Sequence, residues 1–292
     1  MTPSLSVIII THNEEANIGR TLGSVSSLVE ETRGEIIVVD SGSTDRTVEI
    51  AQSYGAKVFS EPWKGYAAQK NSAIERASSD WILSLDADEE ISPELVGTIR
   101  TTLFTGLKPP SRLAQWILRV GSKFFGFVGI TSRPCDGFYL PRRNYFLGRW
   151  IKHGGFYPDL KLRLFRRGTG HFEERSVHET LRVDGITGTA YGIGYPGYLI
   201  HHAYPALAGY IGHMNKYSSL GAEQAAKEGK RGFSFINTVL RPLATFIYNY
   251  FFRLGFLDGR EGLLLHLYHA AYSSWKYAKL WELTRKPQTP SN

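Results

Sequence analysis

Runs of β-branched and aliphatic residues alternate with amphipathic stretches along the first hundred positions. Leu5 to Ile10 is apolar except for Ser6, as in strands buried on both faces of a parallel sheet, and it stops at Thr11, His12, Asn13 and Glu14. A helix is expected from about Glu15. Glu35 to Val39 repeats the run and ends in Asp40, followed by SGSTD, whose small polar residues suit a tight turn and the cap of a helix over Thr44 to Tyr54. Lys57 to Phe59 predicts a third strand, Ala67 to Ala77 a helix, and Trp81 to Leu85 a fourth strand. Helix then returns near Ser92-Pro93. Strands alternating with helices at this spacing imply a parallel sheet with right-handed crossovers.

The fourth strand runs directly into Asp86 and Asp88. In an open α/β sheet, ligands bind beyond the carboxyl ends of the strands, so this pair stands where substrate chemistry occurs. Alternation would send both carboxylates one way and Ala87 back, toward one divalent ion and its bound phosphates. The plain alternative is an acidic turn capping the next helix. Glu89 and Glu90 could add ligands to such an ion but are read first as capping and solvating that helix. No G-x-G-x-x-G follows the first strand. Asp40 instead is positioned to accept a hydrogen bond from a base edge or a ribose hydroxyl, or to serve only its turn.

The stretches LSVIIITHNEEANIGRTLGSV, IIVVDSGSTDRTVEIA, AAQKNSAIERA and WILSLDADEEISPEL together resemble the nucleotide-binding half of the family-2, inverting glycosyltransferases of GT-A fold. The resemblance spans the first hundred residues almost continuously. It implies that Thr11, Asn13 and Glu14 border the nucleoside and that Asp40, with Gly42 in its turn, meets the uracil or other base. It further implies that Lys70 and Asp86 approach the diphosphate, and that Asp86 and Asp88 hold Mg²⁺ or Mn²⁺. Thr11 and Glu14 capping the first helix, and Lys70 as a solvated helix charge, are the structural alternatives.

A second block, GFYLPRRNYFLGRWIKHGGFYPDLKLRLFRRG followed by HFEERSVHETL, resembles a narrower branch, the lipopolysaccharide-core glucosyltransferases. Phe138 to Leu140 and Leu160 to Phe165 are expected to extend the sheet, giving a mixed, Rossmann-type GT-A sheet flanked by helices. Lys161 and Arg163 would share one face, followed by Arg166 and Arg167, either to hold acceptor phosphates or as a solvated basic edge. An inverting transfer needs a general base, and the resemblance puts it at Glu179 in SVHETL, ahead of Asp159 and of Glu173 or Glu174. His178 is read as a core or sugar-contact residue. In LIHHAY the resemblance brings a histidine to the metal or diphosphate; since neighbours on a strand point oppositely, only one of His201 and His202 serves, and His202 is favoured.

Residues 1–100 hold 8 Lys or Arg against 16 Asp or Glu, a net of −8, and the remainder carries 26 against 11, or +15. The basic part faces an anionic partner: nucleic acid, a phosphorylated glycolipid or a membrane. Nucleic acid is set aside, because the basic residues cluster with FYPD and VHE and not in a nucleic-acid fold. The aromatic stretch 101–137, with Arg112, Arg119, Lys123 and Arg133, reads equally as an acceptor-side lid or a core insertion.

Apolar residues from Phe233 to Leu254 fall at helical spacing and Gly262 to Trp281 makes a second aromatic helix; the uncharged run Pro242 to Phe252 is shorter than the about 20 residues a bilayer needs. These helices are expected to lie on an anionic membrane or to pack on the catalytic domain or another protomer. The expected organisation is a catalytic domain over 1–205, with nucleotide-sugar binding in 1–100 and acceptor binding in 101–205, and a helical region over 206–292. The single cysteine, Cys135, excludes an intrachain disulfide and suits a reducing compartment. MTPSLSVIIITHNEE has no basic segment before its apolar run and reads as a first strand, not a signal peptide. The sequence therefore leads to a cytoplasmic, membrane-associated transferase moving glucose or another hexose from a UDP-sugar to a lipopolysaccharide-core or lipid-linked saccharide. A polyprenyl-phosphate sugar synthase and a non-catalytic anionic-glycan or nucleic-acid module stand as alternatives.

Overall fold

The structure is a computed structural model and describes residues 3–105, 135–173, 179–190, 197–230 and 233–285. The stretch 106–134, Glu174, His178 and Arg231 lie outside the described residues. Two compact units emerge. The first gathers the described residues of Met1–Arg143, Asp159–Glu174 and Glu179–His201, and the second those of Asn144–Pro158 and His202–Asn292.

In the first unit the chain runs β1 (Leu5–Thr11), α1 (Ile18–Glu31), β2 (Glu35–Asp40), α2 (Thr47–Ser53), β3 (Lys57–Ser60), α3 (Tyr66–Arg76), β4 (Trp81–Asp86), β5 (Glu89–Ile91) and α4 (Pro93–Thr105). Then follow β6 (Gly137–Phe146), β7 (Arg149–Trp150), β8 (Asp159–Arg166), β9 (Gly170–Glu173), β10 (Thr180–Val183), β11 (Thr187–Thr189) and β12 (Leu199–Tyr204), of which β7 and the ends of β6 and β12 belong to the second unit. The sheet order is β3-β2-β1-β4-β8-β6-β12-β5. β1 to β4 pair in parallel as their apolar runs predict, while β8 inserts antiparallel between β4 and β6, and β5 pairs antiparallel with β12. The result is the mixed sheet expected of a GT-A fold.

Alternation along β1 divides the core. Leu5, Val7 and Ile9 pack with Ile18, Leu22, Val25 and Leu28 of α1 and with Leu95 and Ile99 of α4. Ile8 points the other way, toward Ala67 and Ala73 of α3 and Phe172 and Leu181 of the β9–β10 hairpin. Burial on both faces explains why β1, β2 and β4 need continuous apolar runs. It also fixes the carboxyl ends of these strands, where the chemistry-bearing residues stand.

The second unit contains α5 (Leu207–Lys227), a continuous helical run of π-helical Ile236–Leu240, α6 (Arg241–Ile247) and π-helical Tyr248–Phe252, a short 3₁₀ turn, and α7 (Gly259–Thr284). The helices at 236–252 and 259–284 match the two expected ones, and α5, which carries Gly209, Gly212 and Gly221 without a break, lies within the region expected to be helical. Among the described residues no helix is long and apolar enough to cross a membrane.

Candidate active site

The tips of β1 and β2 are stitched to one another. Asn13 takes a left-handed conformation (φ 55°), from which its N–H donates to Ser43 Oγ at 2.8 Å while its Oδ1 accepts from the Thr44 N–H at 2.8 Å. Asp40 is buried and accepts from the N–H groups of Gly42 and Ser43 at 2.9 and 3.0 Å and from the Ser43 hydroxyl, so its carboxylate shapes the turn. Gly42 has φ 86°, a conformation that suits only glycine without strain. Thr11 is buried at the end of β1, and its Oγ1 has no hydrogen-bond partner in the structure; a buried hydroxyl left so is a place where a ligand polar atom is favoured. Glu14 is bonded to Asn17 Nδ2 at 2.8 Å; burial pushes its carboxyl up, and the charges of Asp88, Asp45 and Asp86 push it further.

Beyond β4 a chain of alternating charges begins. Lys70, buried on α3, donates from Nζ to Asp86 Oδ1 and to Glu179 Oε1, both at 2.7 Å. The Phe172 ring, 5.1 Å away, covers the ammonium. Arg163 of β8 bonds the other oxygen of Asp86 and reaches Glu89 Oε1 at 2.7 Å. Arg142 of β6 meets the same Glu89 oxygen at 2.8 Å and Asp159 Oδ2 at 2.8–2.9 Å, and Lys161 closes the series on Asp159 at 3.1 Å. Glu179, Lys70, Asp86, Arg163, Glu89, Arg142, Asp159 and Lys161 thus alternate in sign.

Burial alone would raise the carboxyls of Asp86 and Glu89. Arg163, helped by Lys70 at Asp86 and by Arg142 at Glu89, holds both below the usual range, Asp86 far below it. Both are therefore anions at neutral pH, and Arg163 is correspondingly a firmer cation.

Several residues differ from their sequence expectations in surroundings. Glu89 caps no helix: it lies in β5, fully buried, because β5 pairs with β12 and points this side chain at the two guanidinium groups. Arg163 is no solvated edge residue, since β8 is an interior strand; Lys161 on the same face is partly exposed, and only Arg166 and Arg167, beyond it, are exposed as a solvated basic edge would be. Of the tandem histidines, His201 is the one beside Asp88, Nε2 to Oδ2 3.4 Å, and the ring of His202 stacks on Tyr145 with centroids 5.7 Å apart. Strand alternation forces that choice, and the register His201↔Glu89 decides it. Glu173 pairs with Arg182 at 2.6 Å.

Among the described residues no three His, Cys, Asp or Glu side chains converge as a self-sufficient metal site. Asp88 and His201 form a two-donor set of carboxylate and imidazole. Such a set fits Mg²⁺ or Mn²⁺ where phosphate oxygens and water complete the coordination, as is usual for ions bound with a nucleotide. Asp86, already engaged by Lys70 and Arg163, would serve such an ion by giving up one of those contacts.

The family described as glycosyl transferase family 2 matches residues 6–103. A lipopolysaccharide core biosynthesis glycosyltransferase of Rhizobium meliloti is 32% identical over 284 residues, covering 95% of this chain and 92% of the relative. An uncharacterized glycosyltransferase of Rickettsia typhi is 32% identical over 285 residues, covering 97% and 88%. Among solved structures, a mannosyltransferase from Pyrobaculum calidifontis in complex with GDP-Man and Mn²⁺ overlays with a TM-score of 0.52, covering 97% of this chain and 88% of that one at 14% identity, a likeness of fold.

Proposed function

As a member of glycosyl transferase family 2 the chain is a glycosyltransferase, and we propose that it is an inverting one, moving a hexose, with glucose the foremost candidate, from a UDP-sugar to a lipopolysaccharide-core or other lipid-linked saccharide. The observation that carries this reading is Lys70, whose single ammonium sits 2.7 Å from both Asp86 and Glu179. One cation thereby joins a carboxylate suited to the diphosphate end of a donor and a carboxylate suited to an acceptor hydroxyl.

In this reading Thr11, Asn13, Glu14, Asp40 and Gly42 frame the nucleoside, and Lys70 and Arg163 face the diphosphate. Asp88 and His201, with Asp86, hold Mg²⁺ or Mn²⁺, which when bound supplies positive charge to the departing phosphate oxygens. Glu179 takes the proton of the acceptor hydroxyl as its oxygen bonds to the anomeric carbon from the face opposite the diphosphate; the carbon–oxygen bond to the diphosphate breaks, and that oxygen keeps the electron pair. A nucleoside diphosphate leaving group near Lys70 would compete with Glu179 for the ammonium and release the base when the donor is present.

The test is UDP release from UDP-glucose with lipid-extracted acceptors, with and without Mn²⁺. Asp88→Asn is expected to lower turnover by about 10²-fold or more, the scale on which fixed electrostatic groups act, and Glu179→Gln by about 10²–10⁴-fold. Retained activity of Glu179→Gln toward a polyprenyl phosphate would favour a synthase whose acceptor is already an anion. Equal turnover in chelator and in Mn²⁺ would sink the metal assignment.

The second unit supports a membrane-docked location on the cytoplasmic leaflet. From Phe233 to Leu267 it exposes Phe235, Ile236, Leu243, Phe251, Phe252 and further large apolar side chains. Asp258 in this stretch is buried on the N–H groups of Lys152 and His153 and on the His153 ring, and Glu261 faces Arg149. An apolar face carrying Arg241 and Arg253 and no exposed unpaired carboxylate is complementary to anionic lipid. Two copies joined through it would bring like charges together, which disfavours a homo-oligomer built on this face.

A further inference from the structure

Among its described residues the first unit exposes few large apolar side chains: Tyr54, Trp63 and Tyr66. Two of them form a pair. Trp63 and Tyr66 meet edge to face, ring centroids 4.8 Å apart at 85°, and each is about half exposed, 51% and 48%. Gly65 between them has φ 98°, a turn that a side chain would strain. The segment is pinned from below. Glu61 N–H donates to the Asp40 carbonyl at 2.9 Å, and the Glu61 carboxylate accepts from Lys64 at 3.0 Å and Ser72 at 2.8 Å and pairs with Arg76. These rings are therefore held in place and not borne on a loose tip, and a preorganised surface loses little entropy on binding.

Their position matters as much as their rigidity. Tyr66 opens α3, and one turn further along the same face stands Lys70, the residue that bridges Asp86 and Glu179. Burial pushes the Tyr66 phenol up, and the charge of Glu179 pushes it further, as expected of near neighbours.

We propose that Trp63 and Tyr66 form a platform on which a pyranose ring of the acceptor saccharide stacks beside Glu179. This rests on the reading of Glu179 as the acceptor-side base. A pyranose presents a face of C–H groups with slight positive charge, which suits the negative face of an aromatic ring, while its hydroxyls remain in water. Half-exposed rings offer such a face, and a purely core role would have buried them. The pair also gives the site a means of orienting the sugar without charged contacts, leaving Glu179 to meet one hydroxyl.

The test uses the full chain and two probes, methyl β-D-glucopyranoside and methyl α-D-mannopyranoside, in saturation-transfer NMR. Wild type is expected to saturate ring C–H protons of at least one probe. Trp63→Ala and Tyr66→Ala should each lower that transfer at least fivefold, Trp63→Phe should restore most of it, and Asp88→Asn should leave it intact. Equal transfer in Trp63→Ala and wild type, or none in wild type at tens of millimolar probe, would overturn the platform. Calorimetry of UDP with Mn²⁺ on the same proteins separates the two readings. Unchanged UDP binding in Trp63→Ala is expected; its loss in that variant alone would reassign the pair to the nucleotide and overturn the proposal. Failure of wild type to bind UDP would count against the donor reading while the sugar signal still judged the platform.

Discussion

In the first unit Asp86, Glu89, Arg142 and Arg163 are charged groups largely withdrawn from water, whereas in the second Phe235, Ile236, Phe251 and Phe252 are apolar groups left in it. Each arrangement is costly by itself, and the two are compensated differently. The charges are matched inside the fold, anion to cation along the series, so that the series carries a preset field without net charge of its own. Among the described residues the apolar side chains have no such match within their unit, and in the proposed docking an external surface would relieve them. Internal compensation points to a site that orients polar substrates, and its lack points to docking.

The comparison breaks first at Arg163. Replacing it with Met strands Glu89 as a buried anion with a weakened set of partners and takes one cation from the partly exposed Asp86, and removing one member of a buried charge set typically costs about 3–5 kcal/mol. Denaturant unfolding of Arg163→Met should show a loss of that size. A loss under about 1 kcal/mol would mean that water or another cation already serves these carboxylates and that the series is not internally compensated.

How much of this was legible depended on how local its cause is. The β1, β2 and β4 runs announce themselves because burial on both faces demands apolar residues within one short segment, and Asp86 and Asp88 follow from where β4 ends. Glu89 did not, because the pairing that buries it joins Ile91 to Leu199, more than a hundred residues away. Without that strand, a second glutamate before Ser92-Pro93 reads as a helix cap. The burial of Arg163, though not its candidacy, was hidden for a similar reason: DLKLRLFR looks like a strand with one wet face, and only its insertion between β4 and β6 dries it. The signal that was available is electrostatic. The acidic run DADEE and the arginines Arg142 and Arg163 on later strands are opposite charges in segments expected to share one sheet, and two of those carboxylates, Asp86 and Glu89, are the ones these arginines meet. The choice between His201 and His202 likewise turns on a register that alternation frames and cannot decide.

A smaller test concerns Glu35, which ties β2 to its surroundings through Lys57 at 2.8 Å, the Ser78 N–H and hydroxyl at 2.7 Å, and Ser6 at 2.8 Å. Partial burial raises its carboxyl, but Lys57, Ser78 and Ser6 outweigh this and bring it from the ordinary 4.5 down to about 2. The native state therefore holds the charged form more firmly than the unfolded chain does. Its contribution is complete above about pH 4.5 and is lost as pH falls toward 2. Glu35→Gln should cost about 1.5–3 kcal/mol at pH 7, the range for hydrogen bonds to a charged group, and should flatten the fall in stability between pH 4.5 and 2. An unchanged acid limb would show that the fall comes from other carboxylates, Asp86 and Glu89 foremost.

The smallest expected effect on stability is also the one that separates the two units most cleanly. Phe252 is 75% exposed, so Phe252→Ser removes a ring that the fold barely uses. Surface changes of this kind stay within about 0.5 kcal/mol, and the melting temperature should hardly move. Binding to vesicles should move a great deal. With Phe252 and Ile236 both changed to Ser, flotation with phosphatidylcholine–phosphatidylglycerol vesicles is expected to fall at least tenfold, and wild-type binding should weaken with salt as Arg241 and Arg253 are screened. Neutral phosphatidylcholine vesicles should recruit less of the wild type than anionic ones do. A double variant that floats as well as wild type would leave this face without a lipid partner. If sedimentation then showed wild type as a dimer and the variant as a monomer, the exposed aromatics would be a subunit contact instead, and the second unit, like the first, would be compensated by protein.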